Sequence, residues 1–115
     1  MDDANQILVP DSFLALYAAR GGHRLTEPLA HVRERYELCE DLAQALTEQA
    51  RLTQFQLGIT EEDVLGKMRQ ALLAEGSPVP PREGQWVVRR LAELLDWPPL
   101  QDSAAGDAPD DATGE

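Results

Sequence analysis

The chain has 115 residues, of which 43% are hydrophobic and 27% are charged, and these values are typical of a folded globular protein. This length fits a single domain and excludes a chain of several large domains. The 21 acidic residues outnumber the 10 basic residues and give a formal charge of −11. Because this charge repels phosphate groups at long range, the sequence disfavours nucleic acid as a partner.

Cysteine content and apolar runs indicate where the protein works. The one cysteine, Cys39, cannot form a disulfide within the chain, which fits a reducing compartment. The N-terminus lacks the basic start and apolar run of a secretory signal. No apolar run approaches the roughly 18 to 20 residues that a membrane-spanning helix needs. We therefore expect a cytoplasmic protein with no membrane partner.

An extended arm and a short helix are predicted at the N-terminal end. Residues 1–10 end at Pro10, which favours an extended conformation in the residue before it, so they predict the arm. Asp11 is placed to cap the first helix, and the pair Gly21–Gly22 ends it near Arg20.

The second predicted helix is the longest. Thr26 is its expected cap, and neither Gly nor Pro interrupts the chain between Pro28 and Leu57. Apolar residues follow alternating spacings of three and four, which form a heptad seam with a second row beside it. Because the apolar face covers about half of the circumference, the helix needs more than one neighbour. The seam consists of Leu29, Val32, Tyr36, Cys39, Ala43, Leu46, Ala50, Thr53 and Leu57, and the second row of Leu38, Leu42, Ala45 and Leu52.

The third predicted helix has a clear start signal. Gly58 suits the left-handed residue that follows a helix, and Thr60 is an expected N-terminal cap. Ile59 and Val64 occupy the two positions of a hydrophobic staple around that cap. The helix is predicted to run to about Glu75.

The fourth predicted helix covers residues 82–97, after a proline-rich turn and before Pro98. With the other three it predicts an all-α fold for residues 11–100, a small four-helix bundle with one long central helix. Residues 101–115 contain five acidic residues and little that can form a core, so they predict a disordered acidic tail. The expected core face of the fourth helix is Val87, Val88, Leu91, Leu94 and Leu95.

No residue pattern predicts a catalytic, cofactor or metal site. His23 and His31 have no Cys or third His at metal-ligand spacing. The pair Gly66–Lys67 lacks the earlier Gly and the following Ser or Thr of a phosphate loop. Cys39 lies in the apolar seam, where a thiol acts as a small buried hydrophobe. We therefore expect a protein that is not an enzyme.

A cluster of Trp and Arg on the fourth helix is the candidate partner surface. At 100° per residue its members lie opposite the core face, and both residue types are enriched among interface hot spots. The alternative is that arginine stems cover Trp86, or that the N-terminal arm packs over both indole rings. The partner interpretation predicts that substituting Trp86→Ala and Arg89→Ala removes partner binding but leaves the helical content intact. The candidate partner-binding residues are Arg82, Trp86, Arg89, Arg90 and Trp97.

Two segments carry a resemblance to a known family. The stretches RYELCEDLAQ (35–44) and WVVRRLAELL (86–95) resemble small proteobacterial proteins, some of which carry the label "ATPase with chaperone activity". The resemblance covers most of residues 7–97 and supplies no catalytic residues. Because the chain lacks a phosphate loop, the resemblance implies a companion of such a machine and not the ATPase itself.

Three hypotheses for function follow. The leading one is a non-catalytic protein-binding module, an adaptor or regulator of a chaperone-type ATPase. The second is a homodimer in which acidic faces of the long helix meet arginine faces of the fourth helix. The third is a DNA-binding regulator, which the net charge and the long proline-rich link between the third and fourth helices disfavour.

Overall fold

The structure is a computed structural model that describes residues 8–22 and 24–100. Over these ranges the chain is helical, with one 3-10 turn at Ala15–Tyr17 and a single isolated β-bridge. The predicted all-α bundle with one long helix is confirmed. Most of the predicted arm (residues 1–7), His23 and the predicted tail (101–115) lie outside the described residues. The α-helices are α1 (Asp11–Leu14), α2 (Leu29–Leu57), α3 (Glu61–Leu73) and α4 (Pro81–Leu95).

The link between α2 and α3 forms as its sequence predicts. Gly58 ends α2 in the left-handed conformation, with φ of 64°. The Thr60 hydroxyl accepts a hydrogen bond from the backbone N–H of Asp63 at 3.0 Å, so Thr60 caps α3. Val64 is buried and Ile59 packs against the core, in keeping with the staple.

Several helix ends differ from their predicted positions. The first helix ends at Leu14, followed by the 3-10 turn, and does not reach Arg20. Asp11 is the first residue of α1 and not its cap, because the carbonyl of Pro10 accepts the first helical hydrogen bonds. Thr26 does not cap α2; its backbone N–H donates to the carbonyl of Tyr17 at 2.7 Å, and α2 begins after Pro28. α4 ends before Asp96, which takes the left-handed conformation with φ of 59°.

The core lies where α4 packs against α2 and α3. The predicted apolar face of α4 is confirmed: Val87, Val88, Leu91 and Leu95 are buried, and Leu94 is partly buried. The middle of the α2 seam is buried at Val32, Cys39, Ala43 and Ala50, whereas its end residues Leu29 and Leu57 are exposed. Among the described helices none is long and apolar enough to cross a membrane.

A close approach between α3 and α4 depends on Gly84. A Cβ atom at this position would lie 2.9 Å from the carbonyl oxygen of Leu72 and 3.1 Å from its Cβ atom. Because the backbone at Leu72 cannot yield without moving α3, we expect Gly84→Ala to lower the free energy of unfolding by about 1 to 3 kcal/mol.

Gly66 provides the matched control, because it lies inside α3 and a Cβ there meets nothing within 4 Å. Gly66→Ala is expected to raise the free energy of unfolding by up to about 1 kcal/mol, since alanine favours a helix. Urea unfolding followed by far-UV circular dichroism measures both changes. Effects of the same sign in the two variants would contradict this packing.

Candidate functional site

A buried carboxylate joins three parts of the fold. Glu83, in the first turn of α4, is 0% exposed. Its two oxygens accept bonds from Arg35 on α2, from Nη2 at 2.5 Å and from Nε at 3.1 Å. The hydroxyl of Tyr17 donates to the same carboxylate, and the Cys39 thiol lies 3.6 Å from it. Glu83 thus ties α4 to α2 and to the 3-10 turn.

The charges in this cluster are set by burial and by the bonds to Glu83. Burial alone would raise the pKa of Glu83, but the bonds from Arg35 and Tyr17 outweigh it and hold that pKa below its ordinary value. Burial, followed by the bond to Glu83, raises the pKa of the Tyr17 hydroxyl. Burial and the negative charge of Glu83 raise the pKa of Cys39 to about 12. At neutral pH the carboxylate is therefore ionised, and the phenol and thiol are protonated.

This cluster is suited to holding the fold and not to nucleophilic chemistry. A thiol is a nucleophile only when it is deprotonated, and Cys39 is both protonated and fully buried. The predicted burial of Cys39 in the seam is confirmed. The sequence interpretation missed Glu83, although a signal was present: Glu83 lies four and eight residues before Val87 and Leu91, on the buried side of α4.

Trp86 does not lie on an outward face, and that prediction is wrong. The residue is 6% exposed, and its indole Nε1 donates to the hydroxyl of Ser12 at 2.9 Å. Its ring packs edge-on against Phe13 and Tyr36, with centroid distances of 5.1 and 5.7 Å. The reason is that α1 folds back over this side of α4. The Trp86 ring is thus covered by α1, the helix that directly follows the predicted arm.

Two of the three arginines in the predicted surface are engaged within the chain. Arg82 donates to the carbonyl of Leu16 at 3.0 Å, and its guanidinium carbon lies 4.2 Å from the centre of the Tyr17 ring. Arg90 pairs with Glu40 of α2 through bonds of 2.8 and 3.1 Å. The Arg90 bond holds the pKa of Glu40 below its ordinary value. Both arginines thus contribute to holding α4 in place.

Arg89 and Trp97 complete the predicted set but lie apart from each other. Arg89 is exposed, and no ion pair links it to another residue within 8–22 and 24–100. Trp97 lies beyond the end of α4, is partly buried, and donates its backbone N–H to the carbonyl of Ala92 at 2.9 Å. The structure therefore does not bring Trp97 into one surface with Trp86.

Two recesses flank Trp86. Together they are lined by all of the predicted partner-binding residues except Trp97. The larger has a volume of about 330 Å³ and lies between the N-terminal segment, α2 and α4. The smaller, of about 190 Å³, includes Arg82, Trp86 and Arg89. The exposed Arg89 borders both recesses. The larger recess is lined by Leu8, Pro10, Ser12, Tyr36, Trp86, Arg89, Arg90 and Glu93.

A row of apolar side chains on α2 is exposed, and for Leu38, Ala45 and Leu52 of the predicted second row this exposure is contrary to prediction. Leu38 is 42% exposed, Leu52 is 50% exposed and Phe55 is 85% exposed. Ala45 lies between the two leucines at seven-residue spacing and is exposed as well. α3 and α4 cover the seam of α2 but not this row, because both pack on the opposite side. We call Leu38, Ala45, Leu52 and Phe55 the α2 face.

Acidic residues border the α2 face along one side. Asp41 and Glu48 follow Leu38 and Ala45 by three residues, so each lies beside its apolar neighbour on the helix surface. Glu34 precedes Leu38 by four residues and extends the same border. Glu34, Asp41 and Glu48 are all exposed. The α2 face is thus an apolar row of Leu38, Ala45 and Leu52 with a negatively charged edge, and Phe55, seven residues after Glu48, lies at the end of that edge.

No metal-binding arrangement of three or more His, Cys, Asp or Glu side chains occurs in the described ranges. The described part of the chain thus offers buried polar contacts, recesses that include the two beside Trp86, and the exposed α2 face. The resemblance to small proteobacterial proteins stays a prediction. No protein-family model, curated protein or solved structure matched the chain.

Proposed function

We propose that the protein is a non-catalytic protein-binding module that contacts its partner through the α2 face. The observation that carries this proposal is the exposure of Leu38, Leu52 and Phe55 along one side of a long helix. Exposed apolar side chains that share one side of a helix suit an interaction site, because covering them removes apolar surface from water. The seven-residue spacing of Leu38, Ala45 and Leu52 suits a long, regular contact.

The Trp and Arg cluster on α4 has a supporting role in this proposal. Trp86 anchors α1, while Arg82 and Arg90 make contacts within the chain. Arg82 and Arg89 are both exposed and line a recess, but Arg82 is held by Leu16 and Tyr17, whereas Arg89 borders both recesses and forms no ion pair with another described residue. We therefore move the principal contact from α4 to α2 and keep Arg89 as a residue at the edge of a secondary contact.

The same contacts weaken the case for a homodimer built on α2 acids and α4 arginines. Arg90 already pairs with Glu40 of its own chain, and Arg82 is held by Leu16 and Tyr17.

An adaptor or regulator of a chaperone-type ATPase is one form that a protein-binding module takes, and the sequence resemblance supports it. A lone buried cysteine fits work in the cytoplasm.

The test is affinity capture with the full-length chain as bait in a lysate of the cells that make it. We expect specific proteins to be retained by the wild type and lost by the double variant Leu38→Gln/Leu52→Gln. Both leucines are about half exposed, so the variant keeps its fold, which circular dichroism checks.

Leu29→Gln is the matched control for capture, because Leu29 is 50% exposed and lies about 180° around α2 from Leu38. This control is expected to retain the same proteins as the wild type. A captured set that is identical for the wild type and the double variant would count against the α2 face as the contact.

A further inference from the structure

We infer that the segment bound by the α2 face is a basic amphipathic helix of another protein, an inference that rests on the proposed function. Its basis is the pairing of an apolar row with an acidic edge on one exposed side of α2. A partner helix places apolar side chains on the row and Lys or Arg side chains beside the edge. The structure thereby assigns a chemical class to the partner.

The geometry of the row suits a helix. Leu38, Ala45 and Leu52 recur every seven residues and so occupy one of the two core positions of the repeat with which one helix packs along another. From Leu38 to Leu52 the row is about 21 Å long, or about four helical turns. The small side chain of Ala45 at its centre lets a second helix approach closely between the two leucines.

The acidic edge favours a partner segment that carries positive charge. Glu34, Asp41 and Glu48 all lie on the same side of the row. Exposed charges of this kind add little to affinity individually but favour partners of opposite charge and speed their association. The formal charge of −11 acts in the same direction over longer distances.

The same charges disfavour a second copy of this chain as the occupant. In an antiparallel pair that stacks Leu38 on Leu52 of the second copy, Asp41 of each copy falls beside Glu48 of the other. Like charges would therefore meet twice in that contact. The terminal segments of the chain suit the acidic edge no better, because residues 1–7 and 101–115 carry two and five acidic residues and no basic residue.

The experiment uses two labelled synthetic peptides of about five helical turns. One places Leu on one face and Lys on the other, and the second has Glu in place of every Lys. Fluorescence anisotropy against the full chain at low salt is expected to show binding of the Leu/Lys peptide and none of the Leu/Glu peptide. Added salt should weaken the binding.

Variants separate the apolar row from the acidic edge. Leu38→Gln/Leu52→Gln and Asp41→Asn/Glu48→Gln are each expected to raise the Kd of the Leu/Lys peptide about fivefold or more. Two matched controls should stay within about twofold of the wild type, because they change exposed residues elsewhere. The controls are Leu29→Gln and Glu62→Gln/Glu75→Gln.

Several outcomes would overturn the inference. Equal binding of the two peptides, or Leu/Lys binding that neither face variant weakens, would show that the face does not select a basic helix. A dimer seen by sedimentation and lost in Leu38→Gln/Leu52→Gln would place a second copy on the face instead. If lysate capture is lost in that variant but unchanged in Asp41→Asn/Glu48→Gln, the basic-helix inference fails while the proposed function stands. Capture that neither variant changes would contradict both.

Discussion

Replacing Glu83 with Gln is expected to lower the free energy of unfolding by about 3 kcal/mol. Glu83 is fully buried and compensates the charge of Arg35 while it accepts the Tyr17 hydroxyl bond. The amide that replaces the carboxylate carries no charge and has one acceptor oxygen instead of two. Because the Arg35 side chain is 25% exposed, water offsets part of the loss, which places the effect at the lower end for a broken buried ion pair.

This loss is a large fraction of the roughly 5 to 15 kcal/mol that stabilises an ordinary domain. Urea unfolding followed by far-UV circular dichroism measures it. Glu34→Gln is the matched control, because Glu34 is exposed on α2, and its change should stay within about 0.5 kcal/mol. Similar losses in the two variants would show that Glu83 does not hold the helices together.

The same ion pair predicts a specific dependence on pH. The pKa of Glu83 in the folded chain is below its value in the unfolded chain, which is about 4.3. Its contribution to stability is therefore present above that unfolded pKa and is lost as the pH falls through the folded pKa. The difference in stability between the wild type and Glu83→Gln should accordingly shrink in acid. A difference that stays constant from neutral pH to acid would contradict the lowered pKa.

Features set by near neighbours in the chain could be predicted from the sequence. The left-handed Gly58, the Thr60 cap and the turn before α4 each depend on residues only a few positions apart. The apolar face of α4 could be predicted in the same way, because the four-residue spacing of Val87, Leu91 and Leu95 places them on one side of the helix, which is buried. Local signals therefore led to the correct fold class.

The environment of Trp86 depended on contacts between residues far apart in the sequence. Ser12 and Trp86 are 74 positions apart, and Tyr17 and Glu83 are 66 positions apart. No periodicity within α4 shows that α1 covers its Trp86 side. A helical wheel shows which residues share a side, and only the tertiary fold shows how many sides are covered.

Trp86 is buried because α1 covers it, whereas the α2 face is exposed because no described element covers it. The width of the apolar surface on α2 predicted neighbours on both sides, but α1 supplies only four helical residues and a 3-10 turn. That segment packs over Trp86 and Tyr36 and does not reach the row at Leu38 and Leu52. A surface that the sequence predicts as core is therefore left for a partner.

Trp86→Ala is the sharpest test of the burial of Trp86, because the outward-facing and the buried positions of its ring predict different stabilities. An outward-facing Trp86 predicts unchanged stability, whereas the buried ring predicts a loss of about 3 to 5 kcal/mol. The loss has two parts, because the variant leaves a cavity between Phe13 and Tyr36 and removes the bond to Ser12. Urea unfolding followed by far-UV circular dichroism is suitable, because this signal does not depend on the deleted indole.

Two further variants identify the source of the loss. Trp86→Phe keeps an aromatic ring but removes the indole donor and part of the packing, so its loss should be smaller, about 1 to 2 kcal/mol. Arg89→Ala changes an exposed residue on the same helix and should stay within about 0.5 kcal/mol. If Trp86→Ala is as stable as Arg89→Ala, α1 does not pack against α4, and the indole returns to the set of partner-binding candidates. The expected order, with Trp86→Ala least stable and Arg89→Ala most stable, would instead mean that any binding lost in Trp86→Ala reflects a disrupted core.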